Sequence, residues 1–421
     1  MKATQRSLWM WIPSLYFIGG IPYIIITTIA TFFFKRIGWE NTEIALYTGL
    51  LFLPWAIYPY IENWLLKYPR FHKWALSAQF FTAISLCCIA LAIKEHLTIL
   101  YILLLFAAIS FCNTIHDIAG KNIYNGISEE NQSLYLGVRS KSYSISLIVG
   151  QGIILMTAGV LETYYRDISK AWTIVFLLTS ILFLIHFVYH IFTLPHFPID
   201  KGNKADKTQK IDKKKICPSK GLVFIILLLL LFNLPKGLLS KVSLFFLIDR
   251  TTQNGLGLSL PQIGFGQGTI GTIGFVIGTI LGKNSLLSGG IKTWKWPMSL
   301  SLTLPNFFFL FLSTNSPTHF GWICILLFIE QLGYGFGISF FFFYLTQYIQ
   351  HHKSKRLLNI LYFFMALGMI VPCLISGWLQ SNMGYTSFFK LVTVCSLATL
   401  TLTFFMKDNS DETNRLPHSP Q

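Results

Sequence analysis

Charge is scarce in this chain: only 12% of its 421 residues are charged, and carboxylates are the rarer kind, with 17 Asp and Glu against 33 Lys and Arg. A soluble globular protein carries about twice that charged fraction, so a water-facing surface is excluded for most of the sequence. Cysteine is sparse too. The seven cysteines form no C-x-x-C pair and most lie inside apolar runs, which reads as small buried packing residues and argues against thiol redox chemistry or a zinc ribbon. G-x-S-x-G, H-E-x-x-H and the phosphate-cradling G-x-x-x-x-G-K-[ST] are all missing, so neither an enzyme nor a bound cofactor is expected. The period-two alternation of a transmembrane barrel is absent as well.

What is present is apolar, with 53% hydrophobic and 16% aromatic residues gathered in blocks of roughly 20, the length that crosses a ~30 Å hydrocarbon core at ~1.5 Å per residue. Twelve blocks can be drawn, at 8–34, 43–64, 74–93, 97–119, 142–161, 171–194, 221–248, 262–287, 294–313, 321–347, 357–379 and 388–406. The first is too long for a signal-peptide core and no A-x-A-like site follows it, so it stays as a span. The expected fold class is all-α integral membrane, with about 12 transmembrane helices.

A net charge of +16 raises the question of a nucleic-acid partner, and the placement of the basic residues answers it. With both termini inside, 24 of them fall in inner loops and tails and 6 in outer loops, while Lys236, Lys241 and Lys390 lie within spans. That asymmetry is the positive-inside bias of an inserted protein. The expected partner is the lipid bilayer with its anionic headgroups, not nucleic acid, and a monomer is expected.

The one long polar stretch sits midway, so the domains read as a first six-helix bundle at 1–194, a Lys-rich cytoplasmic linker at 195–220, a second bundle at 221–406 and a tail at 407–421. A hidden repeat supports the division. Gly150, Gly159, Leu161 and Glu162 match Gly368, Gly377, Leu379 and Gln380 at an offset of 218, and Ile44 and Gly49 match Ile263 and Gly268 at 219. Two homologous halves, parallel and rocking about a midplane site, are the arrangement of the major facilitator fold. The glycines of 264–278 and of Gly333-Tyr334-Gly335-Phe336-Gly337 read first as close helix packing.

Ionisable groups inside a span are costly and therefore point to function. Asn113, His116, Asp117 and Lys121 share one face of the fourth span, where a pair between Asp117 and Lys121 is one reading and a solute or proton role the other. Asn233, Lys236 and Lys241 form a stripe on the seventh, and Glu330, Gln331 and Tyr334 one on the tenth, making Glu330 the natural counter-charge for mid-span Lys236. Lys241, nearer the outer end, is expected to snorkel toward water. His186 and His190 have metal-like i,i+4 spacing but no acidic or thiol companion, so no metal is expected.

Several short words occur in order along the chain: Trp11-Ile12-Pro13-Ser14, Gly20-Ile21-Pro22-Tyr23, Leu53-Pro54-Trp55, His116-Asp117-Ile118-Ala119, Gly150-Gln151-Gly152, Glu330-Gln331-Leu332-Gly333-Tyr334 and Ser376-Gly377-Trp378-Leu379-Gln380. With these the sequence resembles the AmpG-like muropeptide permease branch of the major facilitator superfamily. The resemblance implies a permease of the bacterial inner membrane, a symporter driving uptake of cell-wall muropeptides or amino-sugar fragments with protons. It also makes Trp55 and Tyr58, with Tyr334, platforms for sugar stacking. Relatives of that branch carry Lys at Tyr58, a second Asp at Lys121, and Arg and Glu at Asn233 and Lys236. These differences fall on cavity charges and leave the framework intact. A non-transporting sensor or assembly protein on the same scaffold is the alternative that the altered charges would favour.

Overall fold

The computed structural model describes residues 5–195, 220–315, 317, 319–352 and 355–405. The Lys-rich linker and the carboxyl tail named above lie almost wholly outside these residues. Among the described residues every regular element is helical and no strand occurs, because in lipid only a helix or a closed barrel satisfies every backbone N–H and C=O without water.

The first half runs α1 (Leu8–Arg36), α2 (Asn41–Ala56 with Tyr58–Leu65, bent by 44°), α3 (Phe71–Lys94), α4 (Ile99–Asn125), α5 (Glu130–Tyr165) and α6 (Ile168–Thr193). The second begins with α7 (Leu222–Ile248). Two later helices are double length, at 56 residues for Leu260–Asn315 and 45 for Leu357–Thr401. A straight helix of the first length would reach roughly 84 Å, far beyond the ~30 Å hydrocarbon core. Each turns back at a glycine in the left-handed region, Gly290 (φ 67°) and Gly384 (φ 74°), a conformation glycine adopts without the steric cost other residues meet. They therefore supply α8 (260–289) and α9 (291–315), then α11 (357–383) and α12 (385–401), with α10 (Phe320–Ile349) between. Twelve crossings result among the described residues.

Local signals set several ends. Ser259 and Gln262 form a reciprocal capping box at the start of α8, with Pro261 in the first turn. The Asp167 side chain accepts the Lys170 N–H at the start of α6.

The repeat legible in the sequence has a structural meaning, since matched glycines make matched contacts. A Cβ on Gly159 would lie 2.3 Å from Pro261 at the start of α8, and one on Gly377 2.2 Å from the Asn41 carbonyl at the start of α2. Gly150 packs on Ile24 of α1, and Gly368 on Leu230 of α7. Gly49 of α2 meets Leu374 of α11, and Gly268 of α8 meets the Gln151 backbone of α5. Helices α5 and α8, and likewise α2 and α11, thus approach across the halves wherever a side chain is missing, as membrane helices do at small residues. Within the second half α8 and α10 interlock in the same way. A Cβ on Gly278 would sit 2.1 Å from the Leu332 carbonyl, and one on Gly335 2.3 Å from that of Phe275.

The outside of the bundle is apolar, with Phe192 83% and Tyr164 77% exposed, the inversion expected where lipid is the solvent. Inside the first half, Phe33, Phe34, Phe106, Trp172 and Phe176 pack edge to face.

Because a backbone carbonyl cannot move aside, Gly278→Ala should lower stability by about 1–3 kcal/mol or more. Thermal unfolding in detergent should show this as a lower midpoint, with Gly321→Ala, which meets nothing within 4 Å, as the unchanged control.

Candidate functional site

Helix α7 carries Pro235, which cannot donate to the carbonyl four residues back. The freed Leu231 carbonyl is taken by the Thr399 hydroxyl of α12 at 2.9 Å. One residue past this break stands Lys236, near the middle of the 27-residue span. Its Nζ lies 3.9 Å from Glu330 Oε1 of α10 and 3.9 Å from the centre of the Tyr334 ring. An ammonium over a phenol face gains from the ring quadrupole, and so Tyr334 and Glu330 hold it jointly. These three side chains line a cavity with Asn233, Asn306, Ser396 and Thr399. Glu330 is 3% exposed and its Oε2 has no hydrogen-bond partner, leaving an acceptor available in the cavity wall. The Asn233 amide donates to the Leu229 carbonyl at 2.8 Å. Gln331 does not join this lining; its stem packs against α8 at Gly271.

A second cavity lies in the first half, lined by Tyr16, Gly19, His116, Asp117 and Tyr143. The His116 ring is set by a buried chain of hydrogen bonds across four helices. His116 Nε2 meets the Gln79 amide at 3.0 Å, Gln79 Oε1 meets His190 Nδ1 at 3.0 Å, and His190 Nε2 meets Ser14 Oγ at 2.9 Å. That leaves His116 Nδ1 without a partner, 3.0 Å from where a Cβ on Gly19 would stand. Asn113, 1% exposed, has neither amide atom paired. Buried polar atoms left this way are uncommon in native folds and mark places where a ligand or water completes the bonding.

Each cavity has a phenol in its wall, Tyr143 in the first half and Tyr334 in the second. Trp55 packs edge-on to Tyr23 with ring centres 5.6 Å apart, and Tyr58 of α2 faces Tyr362 of α11 at 6.4 Å.

Two sequence expectations are corrected. Lys121 does not pair with Asp117; it bonds Glu62 of α2 at 3.0 Å and lies 5.8 Å above the Tyr58 ring. Two carboxylates thus compete for one ammonium, and Glu62 lies on the side where Lys121 points. Lys241 does not snorkel. It is 1% exposed and reaches across the halves to donate to the Thr27 carbonyl at 2.7 Å and Thr31 Oγ1 at 2.8 Å. Helix α1 is π-wound at Ile25–Ile29, a bulge that loosens the regular ladder and presents carbonyls. His190, considered above for its metal-like spacing with His186, is occupied in the Gln79 chain, and His186 bonds the Leu182 carbonyl at 2.8 Å. Sequence reading also passed over Gln79, although an amide in the middle of an apolar span was a signal.

Two helical halves, with an ion pair set in a cavity of the second, make this by class a multi-pass membrane protein. The model of the Major Facilitator Superfamily matches residues 14–357, and the chain belongs to that family. No curated protein matches it in sequence. Among solved structures it is similar to the nucleoside transporter NupG, at 14% identity over 96% of this chain and 98% of that one, with a TM-score of 0.65. It is also similar to a bacterial homologue of the iron transporter ferroportin in an inward-facing state, at 14% identity, 96% and 98% coverage and a TM-score of 0.63. A bacterial homologue of the human drug peptide transporters PepT1 and PepT2 gives 11% identity, 96% and 99% coverage and a TM-score of 0.68. At these identities the likeness is one of fold.

Removing one member of the buried pair should cost more than removing both. Lys236→Met strands the Glu330 carboxylate, the more buried partner at 4% exposure against 27%, and should destabilise by about 3 kcal/mol, whereas adding Glu330→Met should recover most of that loss. Thermal midpoints of the three purified proteins read the difference.

Proposed function

We propose that the protein is a secondary transporter of an amino-sugar or muropeptide solute, moved by rocking of the two halves about the cavities described. The observation that carries this reading is Lys236, held mid-span between Glu330 and the Tyr334 ring in a cavity wall rather than against lipid. Such a cation offers a seat for an anionic group of the solute. Asn233 supplies polar lining beside it, and Tyr334, Trp55 and Tyr58 offer faces on which a sugar ring can stack.

In the other half Asn113 and His116 supply unpaired donors and acceptors, and Asp117 lines the same cavity as His116. These are the groups through which protons would couple to uptake. Gln331, beside Glu330 with its stem against Gly271 of α8, completes the polar set on α10. The solute class follows from the resemblance of the motifs to muropeptide permeases, and with it the assignment to a bacterial inner membrane. The distribution of basic residues supports placing both termini in the cytoplasm.

Reconstituted protein should accumulate a labelled anhydro-disaccharide peptide, faster with an acidic exterior. Lys236→Met should cut that uptake roughly tenfold or more, as expected for a lost charged contact. Uptake of a different solute class with none of the muropeptide would overturn the substrate. Unchanged uptake by Lys236→Met would remove Lys236 from the path.

A further inference from the structure

At one end of the bundle the halves are tied by polar groups from segments far apart in sequence. Asp249 lies just past the end of α7, 5% exposed. Its Oδ1 meets Lys35 Nζ of α1 at 2.7 Å, and its Oδ2 accepts from the Asn41 amide at 3.2 Å. Tyr385 of its own half also donates its hydroxyl to Oδ2. Lys35 donates in addition to Asn41 Oδ1 at 2.7 Å, and the Asn41 amide donates to Gln380 Oε1 at 2.8 Å.

The loop after Asp249 fixes its backbone through contacts within the second half alone. Gly257 donates to the Asp249 carbonyl at 2.8 Å, while Leu256 and Leu258 close the last turn of α7 through the carbonyls of Phe246 and Leu247. A Cβ on Gly255 would lie 2.2 Å from the Asp249 carbonyl, so the loop folds directly on this residue.

We propose that Asp249 is the latch of one mouth of the transport path: a carboxylate pre-set on the second half that holds that mouth shut by binding Lys35 and Asn41 of the first. Rocking that parts α2 from α11 takes Lys35 and Asn41 away and leaves Asp249 with Tyr385 and water. The ion pair therefore favours only the closed arrangement. Its sign follows from burial. Removing the cation alone leaves a buried, unpaired carboxylate in the closed state, whereas removing both charges leaves neutral groups that can stay buried. The latch concerns the conformational cycle of the proposed transporter and not its solute, so its test reads no transport.

Thr42 and Ser381 flank the latch from opposite halves with hydroxyl oxygens 3.2 Å apart. A Thr42→Cys, Ser381→Cys protein, in detergent with a protease site placed in the 196–219 linker, reports mouth closure as a disulfide that keeps the cut halves together. Lys35→Met should slow disulfide formation about tenfold, the size expected for a charged hydrogen-bonded contact. Asp249→Asn should slow it less, because Lys35 can reach water. The Lys35→Met, Asp249→Asn double variant should form the disulfide faster than Lys35→Met alone, because the carboxylate that the single substitution leaves buried without its cation is gone. Should Lys35→Met fail to assemble, Asp249→Asn and the double variant, both free of an unpaired buried charge, decide the matter against the parent. Parental rates in those variants, or losses that simply add, would overturn the latch.

Discussion

Water is missing where most of this chain lies, and nearly every feature described answers that one constraint. A backbone amide or a side-chain charge in the hydrocarbon must find its partner inside the protein. Helices satisfy the main chain. Where Pro235 breaks the ladder, a hydroxyl from α12 takes the released carbonyl, and where α1 is π-wound at Ile25–Ile29, an ammonium from the opposite half takes the Thr27 carbonyl. The few buried charges are held in the same way. Glu330 has Lys236, Asp249 has Lys35, and Lys241 has the Thr27 carbonyl and the Thr31 hydroxyl.

The same constraint sets how the halves meet. Lipid tails are as apolar as leucine, so hydrophobic burial does little to hold helix to helix, and close van der Waals contact must do it instead. Glycines at matched places in the repeat allow that contact, with Gly159 on the start of α8 and Gly377 on the start of α2. Polar ties also join the halves, Lys35 to Asp249 and Lys241 to the Thr27 carbonyl. A tie between rigid bundles has two states, made or broken, which is the property an alternating cycle requires.

Much of the fold was legible in the sequence because membrane insertion leaves a one-dimensional record. Span lengths and the glycine offsets of 218 and 219 follow the chain. The two double-length helices were separable for the same reason, since Gly290 and Gly384 fall between apolar blocks. The site was legible only in part. Depth along a span can be counted, and it put Lys236 and Glu330 at compatible levels. Which of two carboxylates Lys121 chooses depends on helix rotation and on the bend in α2, which residue spacing does not record. Lys241 and Asp249 depend on partners in the other half, more than 200 residues away. Their pairing is a property of the assembled interface.

The proposed path requires Lys236 and its neighbours to stand at the wall of a cavity reached by water, not within a dry helix contact. The most direct measurement places a cysteine at Asn233, one turn from Lys236, and treats reconstituted protein with a membrane-impermeant thiol reagent, with the unaltered chain as background. Labelling of Asn233→Cys above that background, reduced when solute is bound, is the predicted result. Labelling no greater than that of the unaltered chain, with reagent on both sides of the bilayer, would contradict it.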